Sequence, residues 1–98
     1  MRYRILKTPE YQSWLEKEIP KSQVQIASRL ASIETEGYFG NYKDLGGHVW
    51  ELKWTGGRRI YFAYIPKARI LLLIGGNKNG QSKDIVQAKK ILRKYTQS

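Results

Sequence analysis

The stretch that decides the fold is YKDLGGHVWELKWTGGRRIYFAY, residues 42–64. Between His48 and Trp54 apolar and polar side chains alternate, as they do in a half-buried β-strand. After a Thr-Gly-Gly sequence, the segment 58–65 alternates in the same way. The stretch therefore predicts a β-hairpin with one face for packing and one face that carries charge.

The length of the turn decides which side chains share a face, because a slip of one residue moves every side chain to the opposite side. A two-residue Gly-Gly turn would mix the apolar and charged sets. A three-residue loop, 55–57, with its last glycine in the left-handed conformation, pairs Lys53 with Arg59. We predict this loop because it gives one consistent apolar face, which contains Trp50, Leu52, Trp54, Ile60, Phe62 and Tyr64. The other face then contains Glu51, Lys53, Arg59 and Tyr61.

The composition indicates a single small domain, residues 1–98, with enough apolar side chains for one core and not two. The chain has no Cys and one His, so we expect neither disulfides nor a zinc site, and we predict no metal and no cofactor. The longest apolar run, 70–74, is far shorter than the roughly 20 residues that span a bilayer. We therefore expect a soluble cytoplasmic protein without a membrane partner.

The charge is large and unevenly distributed, with a net value of +10 at pH 7. Residues 1–36 hold six Lys or Arg and five Glu, whereas residues 37–98 hold twelve Lys or Arg and three Asp or Glu. Such a balance favours a polyanionic partner, most simply a nucleic acid. A solvated basic surface without a dedicated ligand and an acidic protein partner are the alternatives.

The N-terminal third predicts a short strand followed by a helical hairpin. Residues 3–7 alternate weakly, and Thr8 before a proline is typical of a helix N-cap. Pro20 separates this helix from a second one. In the second helix, Ser22-x-x-Gln25 predicts a capping box and Gly37 predicts the C-terminal end. The apolar stripes of both helices indicate core packing.

The C-terminal third predicts a buried strand and a last helix. Residues 69–74 form a continuous apolar run, typical of a strand covered on both faces. We expect a flexible loop over 75–80 and a helix that begins at Gln81 or Ser82. The order β-α-α-β-β-β-α indicates an α+β fold, a mainly antiparallel sheet with its helices on one face. The charged hairpin face would then be open to solvent.

Three blocks of the sequence carry a family resemblance. They are KDLGGHVWELKW (43–54), GGRRIYF (56–62) and ILLLIGGNKNGQSKDIVQAKK (70–90). In this order they resemble the RelE/ParE toxin superfamily, and most closely its HigB-like branch of addiction module killer proteins. The resemblance implies the same α+β fold and a toxin of a type II toxin–antitoxin pair. Such a toxin cleaves mRNA, commonly on the ribosome, and is silenced by its cognate antitoxin.

The resemblance leaves the activity open to alternatives, because a fold does not determine function. ParE members of the superfamily poison DNA gyrase and do not cut RNA. A third interpretation, from a different class, is a non-catalytic RNA-binding module whose basic face holds phosphates. The HigB-like blocks favour the ribonuclease. Its antitoxin would wrap the basic surface with an acidic or amphipathic segment.

By motif position, the resemblance implies four catalytic residues. Metal-independent RNA cleavage must activate a ribose 2′-OH, stabilise charge on the phosphate and protonate the leaving 5′ oxygen. Arg59 would hold the scissile phosphate, and Lys53 would stabilise charge or relay a proton. Glu51 would be the general base or would orient Lys53 or Arg59. Lys78 would serve the leaving group or a flanking phosphate.

Five further side chains are predicted to contact RNA, namely Lys43, Arg58, Tyr61, Gln81 and Lys83. Lys43 precedes the hairpin, and Tyr61 is a candidate for stacking on a base. Arg58 is either a solvated residue at the hairpin end or a second phosphate contact. The wider superfamily often places a Tyr or His near the end of the last strand, where this chain has Gly-Gly-Asn-Lys-Asn-Gly.

Overall fold

The computed structural model describes residues 2–96 and contains a five-stranded sheet packed between helices. Its elements are β1 (Arg4–Lys7), α1 (Pro9–Glu16), α2 (Pro20–Glu36), β2 (Tyr42–Asp44), β3 (Trp50–Lys53), β4 (Arg58–Ile65), β5 (Arg69–Asn77), a 3-10 turn (Lys78–Gly80) and α3 (Gln81–Thr96). The strand order is β1-β5-β4-β3-β2, antiparallel except for the parallel pair β1 and β5. Within these residues no helix is both long and apolar enough to cross a membrane. The predicted α+β fold is confirmed.

The β3–β4 hairpin has the predicted register. Lys53 pairs with Arg59, and Glu51 pairs with Tyr61. Gly57 has a φ of +105°, a conformation that glycine adopts without the steric penalty of a Cβ. The three-residue loop is therefore confirmed, and with it the separation of apolar and charged side chains onto opposite faces.

Helices cover both faces of the sheet, which corrects the prediction that the charged hairpin face is open. One face packs against α1 and α2 through a core that includes Leu52, Ile60 and Phe62. On the other, which we call the α3 face, a second core joins α3 to the sheet; its buried members are Val49, Tyr61, Ala63, Leu71, Leu73, Ala88, Ile91 and Leu92. Burying each large apolar side chain stabilises the fold by about 1.5–3 kcal/mol. The apolar residues of this face therefore draw α3 over it.

The start of α2 differs from the predicted capping box. The N-cap is Ile19 and the helix begins at Pro20, whose fixed φ suits the first helical position and whose missing N–H is not needed there. Ser22 and Gln25 lie inside the first turns. Their side-chain oxygens accept hydrogen bonds from Arg58, at 2.7 and 3.2 Å respectively. The polar residues taken for a cap therefore tie α2 to the hairpin.

The segment predicted as a flexible loop, 75–80, is ordered secondary structure. β5 continues to Asn77 and is followed directly by the 3-10 turn. A Cβ at Gly75 would collide with the indole of Trp14, and one at Gly76 would collide with the carboxylate of Asp84. These glycines therefore allow side chains to pack closely on a strand, where the sequence pattern indicated a turn. The short edge strand β2 is an additional strand, which the predicted order β-α-α-β-β-β-α does not contain.

The start of α1 is the predicted N-cap, and it is buried. Thr8 Oγ1 accepts a hydrogen bond from the Tyr11 amide at 3.0 Å and donates one to the Leu73 carbonyl at 2.8 Å. We expect Thr8→Ala to lower the free energy of unfolding by about 2 kcal/mol in urea titrations. Thr35→Ala, which removes an exposed hydroxyl bonded to the Ala31 carbonyl, is the control and should change it by less than about 0.5 kcal/mol. If both variants lost the same free energy of unfolding, the Thr8 cap would have no special role in stability.

Candidate functional site

The charged residues of the hairpin meet where β3 and β4 approach the start of α3. The strand register places Lys53 beside Arg59 and Glu51 beside Tyr61, all on the α3 face. Glu51 and Tyr61 are fully buried, whereas Lys53 and Arg59 are partly exposed. The site therefore has a carboxylate at its base and two cations at its rim.

Glu51 is held from two directions. Its Oε2 accepts a hydrogen bond from Gln81 Nε2 at 2.7 Å, and its Oε1 lies 3.9 Å from Nε of Arg59. The Glu51 side chain has no solvent-exposed surface. This arrangement suits a residue that orients Arg59 and joins α3 to the hairpin, and it gives a substrate no direct path to the carboxylate.

The guanidinium of Arg59 has a defined orientation. Its Nη1 donates hydrogen bonds to the carbonyls of Trp54, at 3.2 Å, and Arg58, at 3.0 Å. The side chain is 11% exposed, and its Nε is buried facing Glu51. A phosphate would bind the remaining part of the guanidinium or replace one of the carbonyl contacts. The positive charge is thus already in place before any ligand binds.

Tyr61 does not fit its predicted role in base stacking. Its side chain is fully buried beneath α3, and within residues 2–96 its hydroxyl has no hydrogen-bond partner. Burial raises the pKa of this hydroxyl above its usual value, and the carboxylates of Glu51 and Asp84 raise it further. Tyr61 therefore remains protonated at neutral pH and acts as a core residue below the cations.

Three of the predicted site residues are exposed lysines. Lys43 on β2 pairs with Glu51 across the sheet, so its side chain is on the same face. The Lys78 amide donates to the Gly57 carbonyl at 2.8 Å, and its aliphatic carbons lie over Gly57 at the hairpin tip. Lys83 is exposed in the first turn of α3. Lys43 and Lys78 therefore lie beside the charged residues of the hairpin, and Lys83 follows Gln81, which contacts Glu51, by two residues.

Arg58 lies elsewhere, which corrects its prediction as a solvated residue. It is on the opposite sheet face, where it donates hydrogen bonds to Ser22 and Gln25 and lies 3.9 Å from a carboxylate oxygen of Glu18. Its guanidinium carbon is 5.4 Å from the ring centre of Trp54. Arg58 thus fastens the hairpin to α2 and is separated by the sheet from the other predicted RNA contacts.

Two residues that the sequence patterns did not predict belong to the surroundings of the site. Asp84 is partly buried, packs against Gly76 and lies near Tyr61; burial raises the pKa of its carboxyl group. It is the only Asp or Glu in residues 52–98, so its position among basic residues could have marked it as a candidate site residue. Arg29 binds the main chain of β3 from α2. In the sequence, Arg29 stands next to the apolar stripe of a helix, which by itself gives little indication that the side chain binds the sheet.

Replacing Glu51 by glutamine tests the buried pair, because the amide keeps the shape and removes the charge that faces Arg59. We expect the free energy of unfolding to fall by about 2–3 kcal/mol in urea titrations. Glu18→Gln is a matched control, since Glu18 lies at the same 3.9 Å from Arg58 but is 29% exposed. It should lose less than about 1 kcal/mol. Equal losses in the two variants would show that burial does not strengthen the Glu51 contact.

Comparisons with known proteins agree with this architecture. No family model matches the sequence. A Haemophilus influenzae protein described as uncharacterized is 33% identical over 92 residues, covering 91% of this chain and 92% of its own length.

Three solved structures share the fold. A mutant of the E. coli toxin RelE in the free state superposes with a TM-score of 0.73 at 17% identity, covering 92% of this chain and 97% of that one. The RelBE2 toxin–antitoxin complex of Mycobacterium tuberculosis matches with a TM-score of 0.64 at 12% identity, over 79% of this chain and 99% of that one. The intact E. coli RelBE complex matches with a TM-score of 0.64 at 14% identity, over 76% of this chain and 95% of that one. The likeness establishes a RelE-like fold.

Proposed function

This chain belongs to the same family as the Haemophilus influenzae protein, and from its RelE-like fold and its site we propose that it is a toxin of a type II toxin–antitoxin module. The proposed activity is endonucleolytic cleavage of mRNA. The observation that carries the proposal is the pairing of Lys53 with Arg59 at the rim of the site, above a buried Glu51 that orients Arg59.

The geometry supports a division of labour for cleavage without a metal. The ribose 2′-OH loses its proton to solvent or to the group at Lys53, its oxygen attacks the neighbouring phosphorus to form a 2′,3′-cyclic phosphate, and the bond to the 5′ oxygen breaks as that oxygen takes up a proton. Arg59 binds the phosphate oxygens and stabilises their added charge. Lys53 lies beside Arg59 and stabilises charge or relays a proton. Lys78, at the hairpin tip, assists the departure of the 5′ oxygen. Glu51 is assigned to orientation because it is buried.

The charge distribution supports RNA binding on the α3 side of the sheet. Residues 9–36, which include α1 and α2, carry three Lys or Arg and five Glu, whereas α3 carries five Lys or Arg and one Asp. A polyanion is therefore attracted to the side that carries the site. Lys43 and Lys83 are the exposed side chains that we assign to flanking phosphates, and Gln81 supports the site through Glu51.

The partners follow from the same proposal. Two of the solved relatives are complexes of a RelE-type toxin with its antitoxin, which supports a cognate antitoxin for this chain. We propose that it belongs to the HigB-like branch, acts in the cytoplasm and encounters mRNA on the ribosome. An antitoxin that covers the basic rim of the site would neutralise it by excluding RNA.

The test is controlled induction of the wild-type protein, with growth followed and transcript 5′ ends mapped within minutes. New ends inside coding regions, together with cleavage of purified mRNA in the presence of EDTA, are expected. Growth arrest with intact transcripts and DNA damage would indicate a gyrase-directed toxin. Salt-sensitive RNA binding without cleavage would indicate a binding module. Either of the last two results would overturn the ribonuclease.

A further inference from the structure

Arg29 on α2 is bound almost entirely by the main chain of the hairpin region. Its Nε and Nη2 donate to the Phe39 carbonyl at 3.0 and 2.7 Å, and Nη2 also donates to the Asn41 carbonyl at 2.6 Å. Its Nη1 donates to the Lys53 carbonyl at 2.5 Å. The guanidinium carbon lies 4.4 Å from the ring centre of Trp54. One side chain thus joins a helix, the start of β2 and the end of β3.

These contacts hold Lys53 on both sides of its Cα atom. Its amide donates to the Asn41 carbonyl at 2.9 Å, and its carbonyl accepts from Arg29. The direction of a strand side chain follows from the two peptide planes that flank it. The Lys53 side chain therefore leaves the sheet on the α3 face, beside Arg59, in a direction that Arg29 sets from the other face.

The contacts suit an arginine and no other residue type. Its planar fork presents five N–H donors, which reach three carbonyls while the guanidinium lies over an indole ring. Burial lowers the pKa of the guanidinium, and within residues 2–96 it makes no ion pair with a carboxylate. Its charge is balanced by carbonyl dipoles and the Trp54 ring.

We propose that Arg29 is a positioning residue for the reaction, acting through the main chain of Lys53. This inference rests on the proposed ribonuclease function. Arg29 lies across the sheet from the site, so it acts on the direction of the Lys53 side chain and not on the RNA.

The first test compares kinetics of RNA cleavage by Arg29→Gln and wild-type protein. A misplacement of about 1 Å costs on the order of 10²-fold, so kcat should fall about 30- to 100-fold while KM stays within about threefold. Gln23→Ala is the control on the same helix, because Gln23 also donates to two main-chain carbonyls, those of Leu15 and Glu18, at the α1–α2 junction. It should leave kcat unchanged. Wild-type kcat in Arg29→Gln would overturn the proposal.

A double-mutant cycle separates positioning from general destabilisation. If Arg29 acts through Lys53, then Arg29→Gln should reduce kcat less than about twofold in a Lys53→Met background. A loss of the same fold in both backgrounds would overturn the proposal, because it would mean that Arg29 acts independently of Lys53. Arg29→Lys keeps the charge without the fork and should recover less than a tenth of the lost rate.

Amide hydrogen exchange decides the inference separately from the proposed function. In Arg29→Gln, exchange at the Lys53 amide should accelerate at least about tenfold, whereas exchange at Leu72 in β5 should not change. Wild-type protein that cleaves no RNA would overturn the ribonuclease and, with it, the reaction that Arg29 serves. Unchanged exchange at Lys53 would overturn the Arg29 contact itself, whatever the activity.

Discussion

Replacing Arg59 by alanine should reduce the rate of RNA cleavage by about 10³-fold and abolish growth arrest on induction. A positioned donor to a phosphate in a partly buried site is typically worth 10²–10³-fold in rate or more, because it is aligned before the reaction begins. Arg59 is aligned in this way by two main-chain carbonyls and by Glu51. The measurement is single-turnover cleavage of a defined RNA.

Two companion variants make this result interpretable. Arg59→Ala leaves Glu51 buried without its cation, so its folding must be checked by circular dichroism and urea titration. Arg59→Lys keeps the charge without the planar fork and should lose about 10- to 100-fold. Arg69→Ala removes a guanidinium at the start of β5 that is bonded to the Pro66 carbonyl, and it should change the rate by less than about twofold. A folded, fully active Arg59→Ala protein would exclude Arg59 from the site.

Gly75→Ala should lower the free energy of unfolding by about 3 kcal/mol or more, the largest stability effect that we expect of a single methyl group in this chain. Gly75 lies buried in β5, and the indole of Trp14 occupies the position that a Cβ would take. Adding an atom to a closely packed core forces side chains out of their rotamers or shifts the backbone. The measurement is a urea titration, with the slope checked for two-state unfolding.

Gly56→Ala is the matched control. Gly56 lies in the hairpin loop with no neighbouring atom within 4 Å of a Cβ, and neither Gly56 nor Gly75 has a positive φ that an alanine would find strained. The same change should therefore leave stability within about 0.5 kcal/mol or increase it slightly, because alanine restricts the unfolded chain. Similar losses at both positions would show that the Trp14 contact is not what requires a glycine at Gly75.

The position of the site at the border of α3 determines from which side the proposed RNA substrate would reach it. Glu51 and Tyr61 lie under the helix, whereas Lys53 and Arg59 are only partly covered. We therefore expect RNA to approach from the rim, between the hairpin tip and the first turn of α3. Lys78 is exposed beside the hairpin tip, and Lys83 is exposed in the first turn of α3.

Local rules were enough to predict the hairpin and its two faces. Alternation with a period of two assigns Glu51, Lys53 and Arg59 to one face, and a glycine able to take a positive φ at position 57 sets the register. The same kind of rule found the N-cap at Thr8. Each of these features depends on neighbours in the chain or on a short turn, so the sequence alone is sufficient to predict it.

The sequence by itself determined the order of the elements apart from the short edge strand β2, and it determined which side chains share a face of the hairpin. Only the tertiary structure decided what covers each face: α3 buries Glu51 and Tyr61, and Arg58 turns away to α2. It also decided that the glycines of β5 accommodate packed side chains and do not form a loop. The physical reason is that burial and close packing depend on contacts between residues far apart in the chain, which periodicity and turn chemistry do not encode.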